Sequence, residues 1–137
     1  MSDEERQSEV VQELLAAQKS VEEYKSQLAM VSNRLSEGIR ESRRAELTLG
    51  SLADVGDAET FISVGKAYYG KAKPDVEQVL TDRVNRLQKE RKKLVGTKQY
   101  VELQLQSAEK RLTDIIDIVQ RARATEMAGA AELEAQD

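Results

Sequence analysis

Apolar residues recur every seven positions along the first third of the chain. The two core positions of this repeat are held by Val10, Leu14, Ala17, Val21, Tyr24, Leu28, Val31, Leu35, Gly38 and Ala45. A heptad repeat of this length gives a narrow apolar seam, which suits a partner helix better than the broad core of a globular protein. The repeat predicts one helix over about residues 3–46, and Ser2 with Glu5 predicts a capping box at its start.

The last part of the chain carries the same repeat over more positions. Pro74, whose fixed φ suits the first turn of a helix, stands at its beginning. The core positions are Leu80, Val84, Leu87, Arg91, Leu94, Lys98, Val101, Leu105, Ala108, Leu112, Ile115, Val119 and Ala122. The two basic residues among them can lay their methylenes on apolar surface while the charge reaches water. A second helix is therefore predicted over about residues 74–123.

Between the helices, the sequence TFISVGKAYY of residues 60–69 has the pattern of a β-hairpin. Aromatic and β-branched residues flank Gly65 and Lys66, and glycine at the first central position is the preference of a type II′ turn. With these two residues as the turn, Val64 pairs with Ala67. The pattern predicts two short antiparallel strands.

Together these elements predict a mainly α fold: a long antiparallel two-helix coiled coil with a β-hairpin at the connecting end. The whole chain forms one domain, with the hairpin at residues 59–72 inside a connection of residues 47–73. Both chain ends then lie at the free end of the helix pair. The segment 124–137 has four acids, no bases and several alanines, which predicts a disordered acidic tail.

A lone two-stranded hairpin is marginally stable in water and leaves two open edges. The rest of this chain is helical by pattern, so it cannot supply further strands. We therefore expect the hairpin to assemble with strands of other chains, although packing on its own helix ends is an alternative. The expected subunit-interface residues are Phe61, Ile62, Val64, Gly65, Ala67, Tyr68 and Tyr69.

Composition narrows the chemistry. The chain has no cysteine and no histidine, which removes disulfides, thiolate and imidazole metal ligands, and catalysis that depends on either residue. Asp114 and Asp117 lie one helical turn apart, but acids on a charged helix normally serve solubility and ion pairing. We expect a protein that is not an enzyme, with no catalytic residues, no cofactor and no metal site.

The charge and hydropathy of the sequence indicate where in the cell the protein is located and which classes of partner it binds. No run of about 18 apolar residues occurs, and the N-terminus is acidic where a secretory signal is basic and then apolar. These features predict a soluble cytoplasmic protein without a membrane partner. The formal net charge of -4 also argues against a general nucleic-acid binder, because phosphate binding needs a local excess of Lys and Arg.

One stretch, residues 83–98, is strongly basic, with seven bases and one acid. It could bind nucleic acid or a protein partner. The favoured interpretation is a solvated helix face opposite acids of the first helix, such as Glu22 and Glu23, since Tyr100 is the only aromatic residue near it.

The order of long heptad helix, strand-glycine-strand unit and long heptad helix resembles the β class of prefoldin subunits. The resemblance covers residues 10–120. Its most specific part is FISVGKAYY at residues 61–69, which is similar to the family's aromatic-x-x-Val-Gly hairpin and leads through Lys71, Ala72 and Lys73 into a helix start. A single hairpin is typical of the β class.

This resemblance implies a hexamer of two α-class and four β-class subunits. In it, the hairpins merge into a double β-barrel from which six helical arms project. It also implies capture of unfolded actin and tubulin without ATP, and their delivery to the cytosolic group II chaperonin.

A site that captures non-native proteins needs apolar surface that stays exposed and accepts many shapes. The candidate client-binding residues at the free end of the arm are Val10, Val11, Leu14, Leu15, Ile115, Ile116, Ile118 and Val119. Three of them, Leu14, Ile115 and Val119, can instead pack against one another in the seam. The apolar residues between positions 115 and 119 exceed what a two-helix seam buries. We therefore expect Val11, Leu15, Ile116 and Ile118 to be exposed.

A second function fits the heptads alone. A structural coiled-coil adaptor that tethers protein complexes, without chaperone activity, needs no hairpin. Removal of the hairpin therefore separates the two hypotheses.

Overall fold

The computed structural model describes residues 2–55, 60–64 and 67–136. Two long helices flank a two-stranded antiparallel sheet, which confirms the mainly α fold with a hairpin at the connecting end. The elements in chain order are α1 (Asp3–Asp54), β1 (Thr60–Val64), β2 (Ala67–Lys71) and α2 (Lys73–Gln136).

Contacts divide the chain into two compact units. The terminal unit comprises Met1–Ala29 of the sequence together with Gln99–Asp137. The hairpin unit comprises Met30–Lys98 and includes both strands. Each unit contains part of α1 and part of α2.

The N-terminus of α1 has the predicted capping box. The backbone N–H of Glu5 donates to the Ser2 hydroxyl oxygen at 3.2 Å, and the backbone N–H of Ser2 donates to the Glu5 carboxylate at 3.1 Å. These two hydrogen bonds satisfy donors that have no partner within the helix. Asp3, Glu4 and Glu5 also place negative charge at the positive end of the helix dipole.

The C-terminus of α1 lies at Asp54 rather than near residue 46. The extra turns are held by packing, because Leu49 and Leu52 lie against the buried residues of the hairpin unit. Beyond the helix, the Lys73 ammonium group donates a hydrogen bond to the carbonyl oxygen of Val55. This bond ties the end of α1 to the start of α2.

The C-terminal segment differs from the expectation of a disordered tail, because α2 continues to Gln136. Alanine, glutamate, leucine and methionine dominate residues 124–136 and have high helix propensity, so these residues extend the helix without help from packing. Acidic composition alone was a poor guide to disorder here.

The strands pair in the register that the sequence predicts. The Cα partners are Thr60 with Lys71, Phe61 with Gly70, Ile62 with Tyr69, Ser63 with Tyr68, and Val64 with Ala67. At the open end of the hairpin, the Thr60 hydroxyl donates to the carbonyl oxygen of Lys71. The type II′ turn predicted at Gly65 and Lys66 lies outside the described residues.

The core of the hairpin unit is a cluster between the last turns of α1 and the first turns of α2, which we call the root cluster. It contains the buried residues Ala45, Val76, Leu80 and Val84, with Leu49 and Leu52 packed against them. Val76 extends the predicted seam by one turn, since residues 76, 80 and 84 form one i, i+4 row on α2. Leu87 is also buried in this unit.

The seam of the terminal unit is thinner. Its buried residues are Ala17, Val21, Val101 and Ile115. The remaining heptad positions of α1 in this unit are half-buried. Two predicted seam positions of α2 are exposed, Arg91 in the hairpin unit and Ala122 in the terminal unit. A long charged side chain and a methyl group gain little from burial at the edge of so narrow a seam.

Replacing Leu80 by Ala is expected to destabilise the chain, because it removes a buried side chain from the centre of the root cluster. The expected loss in the free energy of unfolding is about 2–4 kcal/mol. Urea unfolding followed by helical circular dichroism at equal protein concentration measures it.

Val95→Ala is the matched control, since Val95 is an exposed apolar residue of α2 in the same unit. The control is expected to change the unfolding free energy by less than about 0.5 kcal/mol. Equal midpoints for the Leu80→Ala variant and the unmodified chain would show that the root cluster does not hold this unit together.

Candidate functional site

The terminal unit exposes apolar side chains on both helices. Val11 and Leu15 of α1 are 53% and 59% exposed. On α2, Ile116 and Ile118 are 37% and 58% exposed. Large side chains of this kind usually lose most of their surface on folding. These four residues form what we call the apolar tip.

The other four candidate residues face the seam to differing degrees. Ile115 is buried, and Val10, Leu14 and Val119 are half-buried. The cause is the helical period: successive residues point about 100° apart, so Leu14 lies along the seam while Leu15 points away from it. A pair of helices has one seam, and the residues beside it stay in solvent. The client-binding role of all eight residues stays a prediction.

The heptad pattern missed further exposed apolar residues of the terminal unit. They are Tyr100, Leu103, Met127 and Leu133. Met127 and Leu133 lie in the segment that composition predicted to be disordered. Their signal was the high helix propensity of the alanine-rich and glutamate-rich end, which places both side chains on a continued helix.

Small side chains open a hollow in the seam of the terminal unit. Ala17 and Ser20 of α1 and Ser107 and Ala108 of α2 leave an open space of about 200 Å³, bordered by Arg111 and other polar residues. One arginine without an acid beside it cannot act as an acid-base pair. The hollow is a packing gap that adds to the accessible surface of this unit.

At the other functional region, the hairpin presents an aromatic side chain to solvent. Phe61 is 58% exposed, and its cross-strand partner Gly70 has no side chain to cover the ring. Cross-strand pairs normally supply much of the stability of a sheet. The Phe61 ring therefore lacks the cover that a paired side chain would give it.

Within the described residues, β1 and β2 pair with each other and with no further strand. Each strand therefore has one open edge of backbone donors and acceptors. Of the seven predicted interface residues, Phe61 is the one whose side chain the structure describes. The surroundings of the side chains of Ile62, Val64, Gly65, Ala67, Tyr68 and Tyr69 lie outside the described part, and their interface role stays a prediction.

The described residues have no buried cluster of polar or charged side chains. No charged or polar side chain among them is buried, and no three acidic side chains come together as metal ligands. Groups that act in catalysis normally sit in enclosed clefts that shift their proton affinity. No helix in the described ranges is long and apolar enough to span a membrane.

The bases of residues 83–98 mostly face solvent. Six of the seven are exposed and Lys98 is half-buried, which agrees with a solvated helix face. An ion pair in this unit joins the two helices, with the base on α1 and the acid on α2. The Arg34 guanidinium lies 3.6 Å from the Glu90 carboxylate. The ion pair joins exposed side chains and contributes little stability. That acids of α1 such as Glu22 and Glu23 lie opposite this stretch stays a prediction.

Comparison with known proteins shows which family model and which known fold this chain matches. The prefoldin subunit family matches residues 6–117 of the chain. No curated protein matches the sequence. The fold is similar to the crystal structure of the prefoldin beta subunit from Thermococcus strain KS-1, with a TM-score of 0.64 and 18% sequence identity over 74% of this chain and 90% of that chain. At this identity the match establishes a shared fold.

Proposed function

The chain belongs to the prefoldin subunit family, and we propose that it is a β-class subunit of a hexameric co-chaperone that captures unfolded proteins without ATP. Its partners are α-class and other β-class prefoldin subunits. Its clients are unfolded actin and tubulin, which the hexamer delivers to the group II chaperonin of the cytoplasm. The observation that carries this proposal is the apolar tip, in a chain that also contains an incomplete sheet.

The hairpin supports the proposal that the chain assembles with other subunits. A two-stranded sheet with an uncovered Phe61 and two open edges gains stability when strands from neighbouring subunits pair with it. Pairing satisfies the edge donors and acceptors, and it buries the aromatic ring. One hairpin in the chain supports assignment to the β class.

The exposed apolar side chains of the terminal unit support the proposal that the chain captures unfolded proteins. Val11, Leu15, Ile116 and Ile118 can contact apolar segments of a non-native protein without first leaving a core. Such contacts form and break by burial and exposure of surface alone. Binding of this kind needs neither a nucleotide nor a covalent step.

Within the family, we propose that the chain is prefoldin subunit 1. The basic residue after the glycine, Lys66 after Gly65, and the aromatic pair Tyr68-Tyr69 support this assignment. Gly70 departs from the pattern, because a larger strand residue is usual there. The acidic C-terminal segment is also not typical of the family.

Deleting residues 59–72 and joining the helices with a short flexible link tests the proposal against the adaptor alternative. A chaperone subunit without its hairpin is expected to be absent from mixed oligomers formed with the other prefoldin subunits, because the pairing strands are missing. Size-exclusion chromatography with light scattering measures assembly, and suppression of the aggregation of unfolded actin measures function.

The matched control removes residues 124–137, a segment of the same length that leaves the hairpin intact. This variant is expected to assemble normally. If the hairpin deletion keeps all its partners and the chain never suppresses aggregation, the adaptor function is correct instead.

A further inference from the structure

A second surface of the hairpin unit combines arginines with an exposed leucine. One face of α1 borders a shallow hollow of about 500 Å³. The hollow is lined by Arg40, Arg43, Arg44, Leu47, Thr48 and Ser51. The spacing of three, four and seven residues places these side chains side by side on the helix. Leu47 is 74% exposed. We call this surface the Arg-Leu patch.

The arginines of the patch have no carboxylate partner in the part of the chain that the structure describes. The ion pairs found there involve Arg34 and Lys73, not Arg40, Arg43 or Arg44. The Thr48 hydroxyl donates back to the carbonyl oxygen of Arg44 at 2.8 Å, so it does not bridge to a neighbouring side chain. Three guanidinium groups around an apolar side chain suit a partner that has carboxylates around an apolar residue.

The end of α2 has this complementary chemistry. After Arg123 the chain contains acids and no bases, and Glu126, Glu132 and Glu134 are exposed. Leu133, between two of these acids, is also exposed. None of the three glutamates has an ion pair within the described ranges.

We propose that the Arg-Leu patch of one copy binds the acidic end of α2 from a second copy. Leu133 packs on Leu47, and the glutamates pair with the arginines. The net charge of the sequence is also divided in this way, positive around the patch and negative in the remaining residues. Residues 30–98 contain 14 bases and 10 acids, whereas the remaining residues contain 7 bases and 15 acids. Opposite charges on two parts of one chain favour contact between copies.

The contact joins two different surfaces, so it is either repeated head to tail or exchanged reciprocally between two copies. In both cases it links copies, or the assemblies that contain them. This inference goes beyond the proposed function and does not depend on it, since neither the apolar tip nor the hairpin takes part.

A protein partner fits the patch better than a nucleic acid does. Phosphate contacts would use the arginines but leave Leu47 without an apolar counterpart. An acidic segment with its own leucine satisfies both parts of the patch.

The test uses the full-length chain and a fluorescent synthetic peptide of residues 124–137, with binding followed by anisotropy. We expect saturable binding that weakens as salt is raised. Arg40→Gln, Arg43→Gln and Arg44→Gln together are expected to weaken binding about tenfold, the sum of three exposed ion pairs. Leu47→Ser in the protein, or Leu133→Ser in the peptide, is expected to weaken it about threefold or more.

The matched control is Arg83→Gln, Arg86→Gln and Lys89→Gln, which removes the same charge from exposed positions of α2 in the same unit. It should leave peptide affinity within about twofold, since distant exposed charges are screened. Circular dichroism checks that each variant remains helical. An equal loss in the control, or equal binding of a scrambled peptide of the same composition, would show nonspecific charge attraction and overturn the proposal.

A charge exchange in the full chain gives a second readout. Arg40→Glu, Arg43→Glu and Arg44→Glu form one variant, and Glu126→Arg, Glu132→Arg and Glu134→Arg form the other. Sedimentation velocity should show weaker self-association for each variant alone and restored association in their mixture. No restoration would overturn the contact. The same holds if a single-stranded DNA 20-mer displaces the peptide and its affinity is insensitive to Leu47→Ser, because the patch would then be a nucleic-acid site.

Discussion

Replacing Phe61 by Asp is expected to exclude the chain from mixed prefoldin hexamers. Phe61 lies exposed on a sheet of two strands, opposite a glycine that leaves its ring uncovered. In the proposed assembly the ring is buried between subunits, where an unpaired carboxylate loses its hydration without compensation. We expect subunit affinity to fall by about a hundredfold or more, which corresponds to about 3 kcal/mol.

Native mass spectrometry of the variant mixed with the other subunits measures this loss. Phe61→Leu, which keeps an apolar side chain, is expected to restore most of the assembly. Val95→Asp is the matched control, since it places the same charge at an exposed apolar position of α2 in the same unit. Hexamer formed in normal yield by Phe61→Asp would show that the hairpin is not the subunit interface.

Replacing Ile116 and Ile118 by Ser is expected to weaken client capture while assembly stays intact. Both side chains already face solvent, so their loss opens no cavity in the seam and should barely change the free energy of unfolding. A client that buries them gains on the order of 1 kcal/mol or more from each side chain, because burial of apolar surface contributes about 25 cal/mol per Å². Losing both, about 2 kcal/mol together, should raise the concentration needed for equal suppression of aggregation by about thirtyfold when this subunit is assayed alone.

In a hexamer the effect is smaller, because the other arms keep their own tips. Aggregation of chemically unfolded actin, followed by light scattering, measures it. Met30→Ser with Val95→Ser is the control, since both residues are exposed and apolar but belong to the hairpin unit. Unchanged suppression by the Ile116 and Ile118 variant would place client capture elsewhere on the arm.

The two helices and the pairing of the strands could be predicted from the sequence because their signals are local. A residue such as Ala17 or Val21 recurs at heptad spacing, and the same residues are buried in the structure. The register of the hairpin follows from a two-residue turn, which leaves one way for Val64 to meet Ala67. These features depend on neighbours within a few positions along the chain.

The helix ends could not be predicted as well. α1 reaches Asp54 because Leu49 and Leu52 find buried partners on α2, and nothing within their own segment shows those partners. α2 reaches Gln136 because helix propensity outweighs an acidic composition that suggested disorder. Ala122 shows the opposite error, since this position of the repeat is exposed and not packed in the seam.

The candidate surfaces show the same division most clearly. The spacing of the amino acids alone determined two amphipathic helices, a hairpin and a shortage of strands, because periodicity is a property of consecutive residues. Only the tertiary structure decided how far each seam residue is covered, and that Arg40, Arg43 and Arg44 have no carboxylate partner in the described part of the chain. Both the burial of a side chain and its ion pairing depend on which residues of the opposite helix lie near it. Those residues are distant in the chain.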